Sequence, residues 1–336
     1  MRGKTKDRSI WWIILIPIAA ALAAMCIGRY VIPVKDILRS LGSKITGQGT
    51  LGAAEELTLW KTRLPRIFLA LIVGGGLSAA GAAYQSLFAN PLATPDTLGV
   101  ASGACFGASL AMLFGLKLAG IQVVSFLFGL LAVGLTFLAG SGKHSRGLSG
   151  IVLAGIMIGS LFNALISLIK FTADTENQLP VITYFLMGSL NGAGFEKLML
   201  GAPPVLIGTV VLFLIRWRLN LLPLSQDEIR STGVNVKALR ITTVVCSTMI
   251  TASCISMCGQ VGWVGLLVPH MCRMLFGNDQ TRLIPASVCI GAAFLVIVDT
   301  LARSITAAEI PVSVLTAIIG APFFIILLRR SEGWQL

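Results

Sequence analysis

From Leu98 to Gly140 the sequence carries a single charged side chain, Lys117. A run that apolar has to be buried in protein or lipid. It is also about twice as long as the roughly 20 residues with which a helix crosses a bilayer. The chain must therefore turn back within it, and Lys117 with Gly120 predicts where. Comparable runs recur along the sequence, and they are continuously apolar, whereas the strands of a membrane barrel alternate. The sequence thus predicts an all-α polytopic membrane protein folded as one domain over residues 1–336. Composition agrees: 55% of the residues are hydrophobic and 12% charged, with a mean hydropathy of +0.87, where soluble domains are about a quarter charged.

Read in order, the runs predict ten spans. The first covers Ile10 to about Ile32 behind Arg2, Lys4, Lys6 and Arg8, too long for a typical cleaved signal. A polar stretch at 33–62 follows, in which VKDILRSL predicts a short interfacial helix. Further spans are expected at about 64–89, from after Asp96 to Gly140 as two passes, and at 148–169, 198–215, 241–257, 261–276, 283–302 and 312–328. The four from 241 to 328 form the closing group. An even number of spans puts both termini on one side. That side, with the loops at 141–147, 216–240 and 273–282, carries 15 of the 26 Lys and Arg residues, and basic residues collect in cytoplasmic loops. Both termini are therefore expected in the cytoplasm. The net charge of +12 needs no nucleic acid, since no basic run is interleaved with aromatics.

The stretch from Arg63 to Gly107 organises the rest. Two arginines open it, small residues recur every fourth position (Gly74, Ser78, Ala82, then Gly99, Gly103, Gly107), and Asn90-Pro91 and Pro95 break it. Small faces let helix backbones touch in lipid. A broken backbone at membrane depth must be buried in protein or line a watery cavity. Helix, corner and helix predict a pore-lining hairpin. Asp299 and Arg303, four apart with Glu309 beyond, suit either a structural ion pair or a docking site. The basic segment SQDEIRSTGVNVKALR, residues 225–240, reads as a short helix, a glycine turn and a second helix.

Catalysis finds little support. There is no HExxH and no GxxxxGK[ST] phosphate loop, and Val100-Ala101-Ser102-Gly103 lacks the Gly-x-Ser pattern of a nucleophile turn. His270 reads as structural, and the seven cysteines, all in or beside apolar runs, read as small packing residues rather than metal ligands or disulfides. No metal ligand or cofactor is expected on this chain. An ion-coupled secondary transporter, the alternative from another class, predicts ionisable groups at mid-span and an inverted repeat, and neither is evident.

Several stretches together resemble the FecCD-type, BtuC-like permeases of type II ABC importers for iron–siderophores, haem and cobalamin. They are RLPR at 63–66, GAAYQSLFANPLATPDTLGVASGA at 81–104, MGSLNGA at 187–193, EIRSTGV at 228–234, GWVGLLVPHMCR at 262–273, DTLAR at 299–303 and EIPVSVLTAIIGAPFFIILL at 309–328. The resemblance implies ten spans, a second permease subunit (homodimer or heterodimer), and two ATPase subunits that use ATP and magnesium. It also implies an extracytoplasmic binding protein and a place in the cytoplasmic membrane of a bacterium or archaeon. It implies binding-protein docking by Arg63, Arg66 and Arg303, a cytoplasmic gate of Asn90, Leu92, Leu148 and Ser149, and ATPase coupling through Ser225, Asp227, Glu228, Arg230, Gly233 and Val234. Ser313 stands where relatives often have Gly, and Phe185-Leu186 where an aromatic such as Trp is common. MGSLNGA tilts the expected cargo towards a ferric siderophore rather than cobalamin, with haem as a further alternative.

Overall fold

The computed structural model describes residues 12–28, 32–46, 56–140, 148–224, 226–306 and 308–330. Among these, the regular structure is helical throughout. In chain order the helices are α1 Leu15–Cys26, α2 Val34–Thr46, α3 Leu64–Leu87, α4 Val100–Leu113, α5 Leu118–Gly140, α6 Leu148–Thr172 and α7 Gln178–Leu186. They continue as α8 Phe195–Leu214, α9 Arg216–Leu219, α10 Gln226–Ser231, α11 Val236–Cys258, α12 Val264–Phe276, α13 Gln280–Ile305 and α14 Val312–Arg330. A π-helical turn, Thr58–Arg63, leads into α3, and a 3-10 turn, Pro95–Leu98, precedes α4.

Each predicted span contains a helix, but the helices are not equivalent. Among the described residues, six stretches are long and apolar enough to cross a membrane: Thr58–Leu87, Leu118–Gly140, Gly150–Thr172, Phe195–Leu214, Val236–Cys258 and Gln280–Ile305. By contrast α1, α4 and α12 have 12 to 14 residues, or about 18–21 Å at 1.5 Å per residue, short of a roughly 30 Å apolar layer. The turn within the long apolar run also falls slightly earlier than expected. It lies at 114–117 with Gly115 at φ +66°, and Gly120 is already inside α5.

The bundle is arranged around α3. Nearly all of α3 is buried, enclosed by α8, α11, α12 and α13. The small-residue stripe explains how. A Cβ on Gly74 would overlap the Gly291 carbonyl of α13, and one on Gly81 would overlap the Gly265 carbonyl of α12. The stripe is therefore consumed by backbone contact on two sides. Around this centre, α5 and α6 expose apolar faces that include Leu127, Leu131, Leu138, Leu153, Ile156 and Met157, as helices facing lipid do. Buried polar side chains bind α5 inward: Gln122 donates to the Lys197 carbonyl (3.2 Å), Ser125 to Ala104 (2.9 Å) and Thr136 to Leu98 (3.0 Å). All seven cysteines are free thiols, and Cys258 donates to the Cys254 carbonyl one turn back (3.0 Å).

Candidate functional site

At its first end α3 carries Arg63 and Arg66, which are three residues apart and so share a face. Arg66 grips Asp299 of α13 like a fork, with Nε 2.9 Å from both carboxylate oxygens and Nη2 2.8 Å from Oδ1. Its Nη1 donates to Oε2 of Glu309 at 3.0 Å. Glu309 occupies a left-handed backbone conformation, φ +52°, between α13 and α14. Arg303 lies one turn beyond Asp299, its Nε 3.9 Å from Oδ2. Two further guanidinium donors meet the end of α1: Arg63 donates to the Met25 carbonyl at 2.6 Å and Arg303 to the Ala24 carbonyl. The last carbonyls of a helix lack partners within it and carry partial negative charge, so two arginines cap α1 from outside.

The cluster joins α1, α3, α13 and the segment before α14, and all its members but Glu309 are buried. Arg66 is 5% exposed and Asp299 2%, and Arg63 and Arg303 are buried as well. The three arginines named for docking are thus brought together, but they face this chain's own carboxylates and carbonyls. Of the two sequence readings of Asp299 and Arg303, the ion pair is formed. The Arg66–Asp299 pairing spans 233 positions, and no spacing rule joins residues so far apart.

At its other end α3 stops at Leu87, and the chain folds back on itself. Ala89 takes a positive φ of 47°. The Asn90 N–H donates to the Gln85 carbonyl (3.1 Å) and its Oδ1 accepts from the Leu92 N–H (2.9 Å). The Ala93 N–H closes the turn on the Asn90 carbonyl (3.1 Å). Gly99 caps the 3-10 turn at φ +72°, a left-handed position that costs glycine little. The Thr97–Leu98 backbone lies directly against Gly155 of α6. Gly155 is seven residues into α6, so the corner reaches about 10 Å back into the bundle. Its backbone groups are met locally, which is the condition for a broken segment at such depth. Asn90, Pro91 and Leu92 are exposed, Leu92 at 53%. Of the other gate residues, Leu148 and Ser149 open α6, and their side chains lie outside the described residues.

The expected coupling segment has the shape of helix, turn and helix. Asp227, Glu228 and Arg230 belong to α10, Gly233 turns at φ +71°, and α11 starts after Val234 with Asn235 Oδ1 accepting the Ala238 N–H (3.0 Å). Ile229 is fully buried while Glu228 is exposed, so α10 is fixed by one face. Ser225 lies outside the described residues, as do the side chains of Asp227 and Arg230. Beneath the segment is a cavity of about 230 Å³ lined by Ile215, Arg218, Val234, Ala238 and Thr242 among others.

Three features were not picked out from sequence as site residues: Asp96, Thr251 and Gln260, which line a second cavity at the corner. Their separation along the chain hides the grouping, although an acidic residue between two apolar helices is itself a signal.

A family model described as the FecCD transport family matches residues 14–330. The chain is 38% identical over 332 residues to the molybdate import system permease MolB of Haemophilus influenzae, covering 99% of this chain and 98% of that protein. It is 35% identical over 278 residues to an iron chelatin transport system permease of Helicobacter pylori, covering 83% and 84%. A solved structure described as a metal-chelate type ABC transporter in an inward-facing conformation superposes with a TM-score of 0.86 at 36% identity, covering 96% of this chain and 99% of that one.

Proposed function

This chain belongs to the FecCD transport family, and on that premise we propose that it moves a ferric siderophore across the cytoplasmic membrane as a permease subunit of an ABC importer. It is a multi-pass transport permease, not an enzyme, and ATP hydrolysis belongs to a separate subunit. The observation that carries the chelate reading is the whole-chain likeness to the metal-chelate type transporter, supported by the iron chelatin relative. Molybdate is the second reading, favoured by the 38% identity to MolB along almost the entire chain.

In this reading two permease subunits flank the path, two ATPases consume ATP with magnesium on the cytoplasmic side, and a binding protein delivers cargo to the other. The arginine end of α3 faces the binding protein. Three guanidinium groups against two carboxylates leave that end one charge positive. Buried as they are, Arg63, Arg66 and Arg303 would act on an acidic partner through their field, which governs encounter rate more than affinity. The exposed Asn90–Leu92 corner is the gate. The segment from α10 to the start of α11 receives the ATPase movement and passes it to α11, which packs on α3.

Reconstituted with its ATPase and binding protein, the permease should take up labelled ferric siderophore only when ATP is present. Uptake of molybdate in place of the chelate would select the second reading, and uptake without ATP by this chain alone would overturn the importer assignment.

A further inference from the structure

We propose that the cavity between the end of α8 and the start of α11 seats the phosphate headgroup of an anionic phospholipid, whose acyl chains lie along the exposed flank of the same two helices. The inference takes from the importer reading only that this end of the bundle lies in the cytoplasmic leaflet.

The cavity measures about 230 Å³, far more than a single water needs. Ile215 and Arg218 line it from the end of α8 and from α9, Gly233 and Asn235 from the turn before α11, and Ala238 and Thr242 from the first turns of α11. No lining residue is acidic. Among the described residues the Arg218 guanidinium pairs with no carboxylate; it lies over the Trp217 ring, 4.9 Å from its centroid. Stacking occupies only the face of a guanidinium, so the donors around its edge stay available as a fork for phosphate oxygens. Asn235 spends its side-chain oxygen on the Ala238 N–H, which leaves its amide N–H groups to donate. The Asp279 carboxylate, at the same end of the bundle, is taken up by Thr281 and Asn220. The lining therefore carries a positive charge that nothing in it opposes.

The surface leading away from the cavity decides between a free anion and a lipid. On α11, Ala238, Ile241, Thr242 and Val245 share one face by their spacing of three and four, and Ile241 and Val245 are exposed. On α8, Ile207, Val210 and Leu214 make a second exposed stripe. The two helices pack together, with Gly208 against Cys246 and Ile250. Both stripes run from the cavity into the span, as acyl chains do from a headgroup. Trp217, 52% exposed at the rim, suits headgroup level, where tryptophan gathers. Basic pockets between spans on the cytoplasmic side hold anionic headgroups, and the lipids of that leaflet carry the charge that complements Arg218.

The test is native mass spectrometry of the full-length permease in detergent, titrated with dioleoylphosphatidylglycerol or dioleoylphosphatidylcholine. The wild type should retain phosphatidylglycerol over phosphatidylcholine by about fivefold, the effect of one arginine at an anionic membrane surface. R218Q should abolish that preference. A238F, which fills the cavity without changing charge, should also lower phosphatidylglycerol retention. Both positions are exposed, so both variants should melt near the wild type. R216Q should keep the preference, because Arg216 is spent on the Phe213 carbonyl (2.7 Å) and ring (4.0 Å). Equal retention of the two lipids by the wild type, or a preference that survives R218Q and A238F, would overturn the proposal. Displacement of the lipid by equimolar glycerol 3-phosphate or inorganic phosphate would replace it with a free-anion site. A defect of R218Q confined to ATPase association would replace it with a protein contact. The measurement uses neither ATP nor cargo, so its failure leaves the importer assignment standing, and a failure of ATP-driven uptake leaves the lipid site standing.

Discussion

At one end of α3, Arg66 is held by four charge-assisted hydrogen bonds to Asp299 and Glu309, while Arg63 and Arg303 reach across to cap α1. At the other end, Asn90 to Ala93 are held by neutral contacts made within a few residues, and three of those residues are open to solvent. One helix is thus fixed at one end by buried ion pairs to distant parts of the chain, and at the other by neutral hydrogen bonds, most of them local, with Ser86 donating to the Leu219 carbonyl (3.1 Å) as a longer tie. Opening the first end means breaking buried ion pairs; opening the second means exchanging local hydrogen bonds for water at a net cost of about 1 kcal/mol each. Motion is inexpensive only at the corner.

The largest effect should come from D299A. It leaves Arg66 and Arg303 buried without their shared carboxylate, and breaking a buried pair on one side costs about 3–5 kcal/mol. The purified permease should show a sharply lowered unfolding midpoint, and a midpoint near the wild type would remove the distinction between the two ends. Next, G74A forces the α3 and α13 backbones apart and should cost about 1–3 kcal/mol. The same substitution at Gly134, where nothing lies within 4 Å, should be tolerated in the same assay.

N90A probes the corner. Losing the side-chain bond to the Leu92 N–H should cost about 1 kcal/mol, while ATP-driven uptake should change several-fold. A stability loss as large as that of D299A would mean that the corner is no softer than the arginine end.

Asp279 caps α13 at the end remote from the cluster. Its Oδ1 accepts from the Thr281 N–H (3.0 Å) and from Asn220 (2.8 Å), and the Thr281 hydroxyl donates to Oδ2 (2.6 Å). Partial burial acts against ionisation, but the bonds from Thr281 and Asn220 outweigh it and hold the carboxyl below its ordinary value. With a lowered folded value, the contribution is complete above the unfolded value of about 3.9 and fades as pH falls through the folded one. D279A should cost about 1 kcal/mol at neutral pH, and the difference from wild type should shrink in acid. Smallest of all, R39A removes an exposed pair with Asp36 at 3.5 Å and should change stability by less than about 1 kcal/mol.

Much of the bundle was legible because lipid imposes a simple rule: continuous apolar runs become helices. What the runs could not specify was helix length. The apolar stretch after Cys258 reads as a span, yet Gly259 at φ +71° and the strained Trp263 keep residues 259–263 out of the helix, so α12 starts late and stays short. The small-residue stripe on α3 announced close contact but not its partners, because Gly291 and Gly265 lie about two hundred positions away. The arginines stood out as charges at the edge of an apolar run. Their inward direction depends on Asp299 and Glu309 arriving from the far end of the chain, which only the folded arrangement supplies.

The contact of Gly74 with Gly291, and of Gly81 with Gly265, has a mechanical consequence. Helices that touch backbone to backbone cannot slide along one another without lifting apart, so α3, α12 and α13 form a single lever. Its fulcrum is the arginine cluster, and its arm is the 24-residue length of α3, about 36 Å. Over that arm a tilt of about 5° carries the Asn90–Leu92 tip about 3 Å, the width of a water molecule, with the contacts to α12 and α13 kept and the burden falling on those to α8 and α11.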